Sequence, residues 1–390
     1  MSTKREKMDG EGKFYSSSKI RKVEAVYNIV YGKRSRGKTY DMLVHILTDY
    51  WNARKEGRTS QGFYLRRYDG DLKGDVPRQM CEMLVFNGYG ENFIEKLTDG
   101  EFDDVKYWNR CWTLIKTDRE TGLVKKDSKP FLFAGALNLW ERAKGGSFPH
   151  VDTVWLEEFM CDSETAYLPG EFKKFMNYLS TIIRHRTNVT VWLLGNSQDM
   201  YCPYFEWFGI PAERVMAQKQ GTIDVYKIGK TGKKIAVERT KDSGVCVSNV
   251  SNDYYFAFDN PELKMITEGD WEIGMYPLLK EDISQSDVCG RFFIYYKTNV
   301  IECDIVSTDA GDVFLYFHRS IDPLDPPDED VDLIYCQDVS MKWNFRRKLT
   351  SPMTPGERSV LTLISSEKMF FDDNITGNAF DSYMKWCRTN

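Results

Sequence analysis

Eight consecutive residues constrain this chain more than any others: Gly32-Lys33-Arg34-Ser35-Arg36-Gly37-Lys38-Thr39 matches G-x-x-x-x-G-K-S/T at every fixed position. The two glycines let backbone N–H groups curl round phosphates at a helix N-terminus. Lys38 adds a point charge for the β and γ phosphates, and the Thr39 hydroxyl is a ligand for Mg²⁺. Such a loop works only between a strand and a helix, and the neighbouring sequence supplies both. Residues 23–31 (VEAVYNIVY) are β-branched and aromatic and end at Gly32, as a buried strand does. After Thr39, the apolar residues Met42, Leu43, Ile46, Leu47, Tyr50 and Trp51 recur at helical spacing, which predicts an amphipathic helix of about three to four turns.

The same alternation continues downstream. Residues 62–68 (GFYLRRY), 130–135 (PFLFAG), 152–156 (DTVWL) and 189–194 (VTVWLL) read as strands. Residues 171–184 read as a helix with Phe172, Phe175, Met176, Leu179, Ile182 and Ile183 on one face. Strands alternating with helices predict an α/β domain with a mainly parallel sheet. A chain of 390 residues exceeds what one core usually organises. The divisions expected are a polar tail over residues 1–20, the P-loop domain over 21–217, a polar linker or small subdomain over 218–268, and a smaller α+β domain over 269–390. In this last part, strand-like runs at 291–296, 300–306, 313–318 and 332–339 precede two helices. The first helix opens with a capping box, Thr354 to Glu357, with Pro355 at its first position.

Net charge is −5, yet the sign is segregated: residues 1–40 carry 11 Lys or Arg against 4 acids, and residues 321–335 carry six acids and no base. A mildly acidic average therefore excludes no nucleic-acid partner. The nine cysteines are scattered singly, without a C-x-x-C pair or a His at metal-ligand spacing, and read as reduced thiols. The polar N-terminus lacks the apolar segment of a signal peptide, and no apolar run is long enough to span a bilayer. A cytoplasmic protein without a membrane partner is expected.

A P-loop needs acids at the end of a neighbouring strand to hold Mg²⁺ and to polarise the attacking water. Val154-Trp155-Leu156-Glu157-Glu158 offers them, with Glu157 toward the metal and Glu158 toward the water as general base. The next strand ends at Asn196, either a sensor of the γ-phosphate or a turn residue. Arg184 and Arg186 close a helix, where each can reach a neighbouring subunit's nucleotide or favour the helix dipole. Lys144, in the stretch 142–147, is a second candidate for reaching a neighbour. Arg66 and Arg67 either touch nucleotide or DNA or form structural ion pairs. The guanine-reading Asn-Lys-x-Asp and the protein-kinase catalytic loop are both missing from the sequence.

Taken together, the P-loop, GFYLRRY, LNLWERAKGGSFPHVDTVWLEEF and TIIRHRTNVTVWLLGNSQDMYCPYF resemble the DNA-packaging ATPases of small podophages with protein-primed linear double-stranded DNA genomes. The likeness runs in order over most of residues 21–207. It implies the additional-strand, conserved-glutamate (ASCE) branch of P-loop ATPases, in a terminase-like motor. It also implies ATP and Mg²⁺ as cofactors and double-stranded DNA as the translocated substrate. The active form implied is a homo-oligomeric ring, commonly of five subunits, docked on the capsid portal (connector) in the host cytoplasm. On this resemblance, residues 32–39 bind ATP, Thr39 and Glu157 hold the metal, Glu158 is catalytic, and Lys144 and Arg184 act in trans. The C-terminal domain then resembles a vestigial RNase H-like nuclease used for binding, in some members for a small packaging RNA. The first strand expected there, RFFIYY, holds no acid, and Asp304, Asp309 and Asp312 are loosely spaced, so nuclease activity is not expected. The alternatives are another DNA translocase or helicase, a terminase that also cuts, and a P-loop small-molecule kinase.

Overall fold

The structure is a computed structural model. It describes residues 14–33, 37–86, 91–118, 120–161, 167–197, 202–229, 231–241, 276–279, 283–284, 287–297, 299–309, 311–319, 333–337 and 348–389. The chain forms two compact units, Met1–Glu272 and Ile273–Asn390.

The first unit is built on a ten-stranded sheet. Its strands are β1 (Tyr27–Gly32), β2 (Gln61–Arg66), β3 (Asp104–Trp108), β4 (Cys111–Thr117), β5 (Val124–Lys126), β6 (Leu132–Ala136), β7 (Val151–Glu157), β8 (Thr190–Asn196), β9 (Thr222–Lys227) and β10 (Lys234–Arg239). They lie in the order β3-β4-β6-β2-β7-β8-β1-β10-β9, with β5 paired to β4. From β6 to β10 every pairing is parallel, and antiparallel strands close both edges. The interior strands are continuous apolar runs because both faces are covered. Trp112, Trp155 and Trp192 are fully buried among them. Strand β8 lies between β1 and β7, so one strand separates the P-loop strand from the strand carrying Glu157. That is the additional-strand order.

Two long helices cover this sheet. Helix α1 (Lys38–Lys55) buries Met42, Leu43, Ile46, Leu47, Tyr50 and Trp51, the face read from the sequence. It runs 18 residues, longer than expected. Its last turn is held by Arg54, which lies over the Trp51 ring at 4.5 Å and pairs with Glu101 at 2.8 Å. Helix α2 (Glu171–Ile183) buries Phe172, Phe175, Leu179 and Ile182. Its buried stripe also takes in Tyr178, which meets Phe63, while Met176 lies outside it, 37% exposed.

Two of the expected divisions differ from the fold. The span 218–268 is not a linker throughout, since β9 and β10 extend the sheet beyond β1. Ile235, Ala236 and Val237 of β10 are buried against it, Val237 opposite Ile29. Lysines at the rims of this hairpin conceal the short apolar centre. The span 1–20 is not a polar tail to its end. Ile20 lies in the core, the Ser17 N–H donates to Asp41 of α1 at 3.2 Å, and the Tyr15 hydroxyl donates to Glu238 at 2.9 Å.

The second unit holds a five-stranded sheet, β14-β11-β12-β13-β15. Its strands are β11 (Val288–Tyr296), β12 (Asn299–Ser307), β13 (Val313–Arg319), β14 (Leu333–Cys336) and β15 (Met369–Phe371), the last falling between helices α3 (Pro355–Ser365) and α4 (Asn374–Thr389). β11, β12 and β13 form an antiparallel meander, and β14 lies parallel to β11 on its other side. The α3 capping box is present, the Thr354 hydroxyl accepting from the Glu357 N–H and the Glu357 carboxylate from the Thr354 N–H. Phe380 of α4 packs on Phe317 of β13 with ring centroids 4.3 Å apart. Among the described residues, no helix is long and apolar enough to cross a membrane.

Candidate nucleotide-hydrolysis site

The site forms where the carboxyl ends of β1, β7 and β8 meet the first turn of α1. Gly32 is required sterically, since a Cβ there would lie 1.9 Å from the Thr240 hydroxyl. Gly37 precedes α1 with φ +83°, a conformation natural to glycine. Arg34, Ser35 and Arg36, the middle of the expected phosphate cradle, lie outside the described residues.

Lys38 is 6% exposed, and its ammonium donates to the Gly32 carbonyl at 3.1 Å, the Lys33 carbonyl at 2.7 Å and Asn196 Oδ1 at 3.3 Å. Asn196 stands opposite Gly32 in the pairing of β8 with β1, so the loop lysine and the end of β8 are directly joined. The Thr39 hydroxyl donates to Glu157 Oε1 at 3.1 Å. Glu157 Oε2 is buried without a hydrogen-bond partner. A buried carboxylate oxygen left unsatisfied beside a hydroxyl is a donor set suited to a hard cation. Burial pushes the Glu157 carboxyl up to about 7. The Glu158 charge adds to the rise, while Arg66, the Thr39 hydroxyl and Lys38 oppose it. A cation beside the acid would remove that strain. Thr39 and Glu157 therefore fit Mg²⁺.

Glu158 follows β7 in the left-handed region, φ +53°, and its carboxylate is 54% exposed. Arg66, at the end of β2, pairs with it at 2.7 Å and with Asp71 at 3.1 Å. Arg66 thus meets an acid of the site rather than standing as an open cation. Arg67 turns inward: its guanidinium donates to Glu171 at 2.9 Å and to the Phe159 carbonyl at 3.0 Å. The Tyr204 hydroxyl completes this cluster on Glu171 at 2.7 Å. Sequence reasoning missed Glu171 as a partner; its only signal is an acid at the first position of a helix otherwise apolar on that side.

Arg184 and Lys144 lie elsewhere. Arg186 donates to the carbonyls of Val151, Pro149 and Ile182, which fixes the end of α2 beside the start of β7. From there to Glu157 is six residues of strand, roughly 20 Å. Arg184 takes φ +51° and ψ −118° at the helix end, is exposed, and donates to the Gly146 carbonyl at 2.7 Å. Lys144, also exposed, stands over the Trp140 ring at 4.2 Å. The two cations are thus brought into one neighbourhood, at the opposite end of the sheet from Lys38.

In the second unit, Asp304 does not meet Asp309 or Asp312, which sit at the β12–β13 turn. It pairs instead with His318 at 3.2 Å, and Glu302, Asp304 and His318 offer ligand-type atoms within 4.8 Å of one another.

The model of the podovirus DNA encapsidation protein (Gp16) family matches residues 8–215, more than half of the chain. The chain belongs to this family. Its relatives include the DNA packaging proteins of Bacillus phage PZA, 25% identical over 198 residues, and of Bacillus phage B103, 26% identical over 188 residues. The first match covers 50% of each chain, and the second 48% of this chain and 49% of the relative. The chain therefore aligns with about half the length of these curated relatives. Its fold is similar to a chain of the bacteriophage Phi-29 viral genome packaging motor assembly, with TM-score 0.52, 18% identity and coverage of 96% of this chain and 99% of that one. A chain of the Phi-28 gp11 DNA packaging motor gives TM-score 0.50 at 14% identity, over 97% and 99%.

Proposed function

We propose that this Gp16-family chain is the ATPase of a viral genome-packaging motor, which couples ATP hydrolysis to translocation of double-stranded DNA into a procapsid. The observation that carries the reading is the convergence of Lys38, Thr39, Glu157 and Asn196 at the ends of three neighbouring parallel strands, with Glu158 one residue beyond. Bound Mg²⁺ supplies charge neutralisation for the phosphates, held by Thr39 and Glu157. Lys38 exchanges its carbonyl partners for phosphate oxygens. Glu158 leaves Arg66 to orient water and take its proton; the water oxygen bonds to the γ-phosphorus as the bond to the β–γ bridging oxygen breaks, giving phosphate and ADP, and the proton then passes to solvent. Asn196, bonded to Lys38, registers whether the γ-phosphate is present.

Arg184 and Lys144 serve the next subunit's nucleotide rather than their own, since their own lies roughly 20 Å away along β7. This supports a homo-oligomeric ring, of five subunits by family likeness, docked at the portal vertex of a procapsid in the host cytoplasm. The second unit is read as a binding domain without nuclease activity, with a packaging RNA as one partner. Its first strand holds no acid. A packaging motor grips duplex DNA of any sequence through backbone contacts, whereas a helicase prefers single strands stacked on aromatics.

The test is steady-state ATP hydrolysis with and without duplex DNA and portal-bearing procapsids. Turnover stimulated by both, and abolished in Glu158→Gln with ATP binding kept, supports the motor. Hydrolysis indifferent to DNA, or phosphate passed to a small molecule, overturns it.

A further inference from the structure

Arg67, Glu171 and Tyr204 form a buried charged cluster that no step above uses. Arg67 is 7%, Glu171 3% and Tyr204 0% exposed. Their polar groups are matched closely. Arg67 Nε donates to Glu171 Oε2, which also accepts from the Leu168 N–H at 2.8 Å, while Tyr204 holds Oε1. The other arm of the guanidinium takes the carbonyl of Phe159, the residue after Glu158. The Phe159 N–H donates to Leu194 of β8 at 3.2 Å, and its ring packs edge-on against Tyr204 and Phe205. Glu158, in its left-handed conformation, is therefore followed by a residue clamped through N–H, carbonyl and ring. Such a conformation persists only where its surroundings impose it.

Glu171 is also the first residue of α2, and Arg184, with its own positive φ, is the residue at the other end. Thirteen residues of helix make a rod of roughly 20 Å between them. We infer that the Arg67–Glu171–Tyr204 cluster is a positioning device that holds the Glu158 turn and the amino end of α2 as one body, so that the pose of the base in one subunit sets the pose of the Arg184 it presents to its neighbour. The inference rests on the assignment of Glu158 and Arg184 made above. An ion pair suits this task better than an apolar contact, because three hydrogen-bonded partners fix direction as well as distance.

The experiment is a double-mutant cycle in kcat, using full-length chains assembled on portal-bearing procapsids, with Glu171→Gln, Arg184→Ala and the pair. Glu171→Gln should lower kcat by on the order of tenfold or more while the Kd of a fluorescent ATP analogue stays within about twofold, as misplacement of a reacting group does. The loss in the double variant should fall short of the product of the two single losses, because both changes act through one body. Tyr204→Phe, which keeps both charges, should act in the same direction with a smaller loss, and it carries the cycle if Glu171→Gln fails to melt cooperatively. Wild-type kcat in a folded variant, or losses that multiply in the double variant, overturns the linkage. Wild-type turnover in a Glu158→Gln control overturns the assignment of the base, and the linkage with it.

Discussion

The two ends of the parallel sheet in the first unit are built on opposite terms. At the carboxyl ends, Lys38 is buried and Glu157 half-buried, and both are bonded to groups of the same chain. At the amino ends, Arg184 and Lys144 are exposed, and their partners are one carbonyl and one indole ring. An exposed cation with neutral partners contributes little to the stability of its own chain. The first end draws its contacts from its own chain. On the reading proposed above the second serves a neighbouring subunit, and it is where variants should leave the monomer unchanged.

The comparison is sharpened most by Glu158→Gln, which should lower kcat by about a factor of 10⁴ in any assembly state, the upper range for loss of a general base. Arg184→Ala should lower kcat by on the order of 10³, but only in the assembled ring, since a trans-acting arginine is without effect on an isolated subunit. Mixing it with Glu158→Gln chains should restore some phosphate release, at interfaces joining an intact arginine to an intact base. An equal loss in the monomer would break the contrast between the two ends.

A smaller effect is the pH dependence of Mg²⁺–ATP binding. With its carboxyl pushed up to about 7 by burial, Glu157 must lose a proton to take a cation. Affinity should rise about tenfold per pH unit below that value and level off above it, and Glu157→Gln should flatten the curve. The stability of the nucleotide-free protein moves the other way. The folded state holds a proton that the unfolded chain releases in the ordinary glutamate range, so stability falls as pH rises toward 7. Buried Glu238, also raised to about 7, adds a term of the same sign, and the difference between wild type and Glu157→Gln isolates the site. Smallest is Arg186→Ala, which should cost about 1–3 kcal/mol in thermal melts by leaving buried carbonyls unpaired. It should leave the activity of assembled rings near wild type, separating the structural arginine from the presented one.

The P-loop, its flanking strand and helix, and the two acids at the end of β7 were legible in the sequence because each is a local pattern. The glycines answer to backbone conformation, and the α1 stripe answers to a period of 3.6 residues. The antiparallel hairpin from β3 to β5 was not legible. Its strands keep no regular alternation of burial, β5 being exposed throughout, and carry Lys106, Lys116, Lys125 and Lys126, which resemble loop composition. The partnerships of Arg66 with Glu158 and of Arg67 with Glu171 lie 92 and 104 residues apart, beyond any periodicity. Two adjacent arginines at a strand end point to opposite sides by the alternation of strand side chains, and that was the one available hint of different roles.

Strands β9 and β10 bear on where this polypeptide can be cut. The family likeness stops at residue 215, yet β1, the strand that delivers the P-loop, has β10 as one of its two neighbours, and the Thr240 N–H donates to the Tyr31 carbonyl at 2.9 Å. A chain trimmed to the recognisable homology would leave β1 as a bare, apolar margin with unpaired N–H and C=O groups, a template for self-association. Trimmed after residue 241 instead, it would keep that margin covered. The shortest fragment that keeps β1 covered is thus set by a hairpin beyond residue 215, and the two trimmed chains should part visibly on a sizing column.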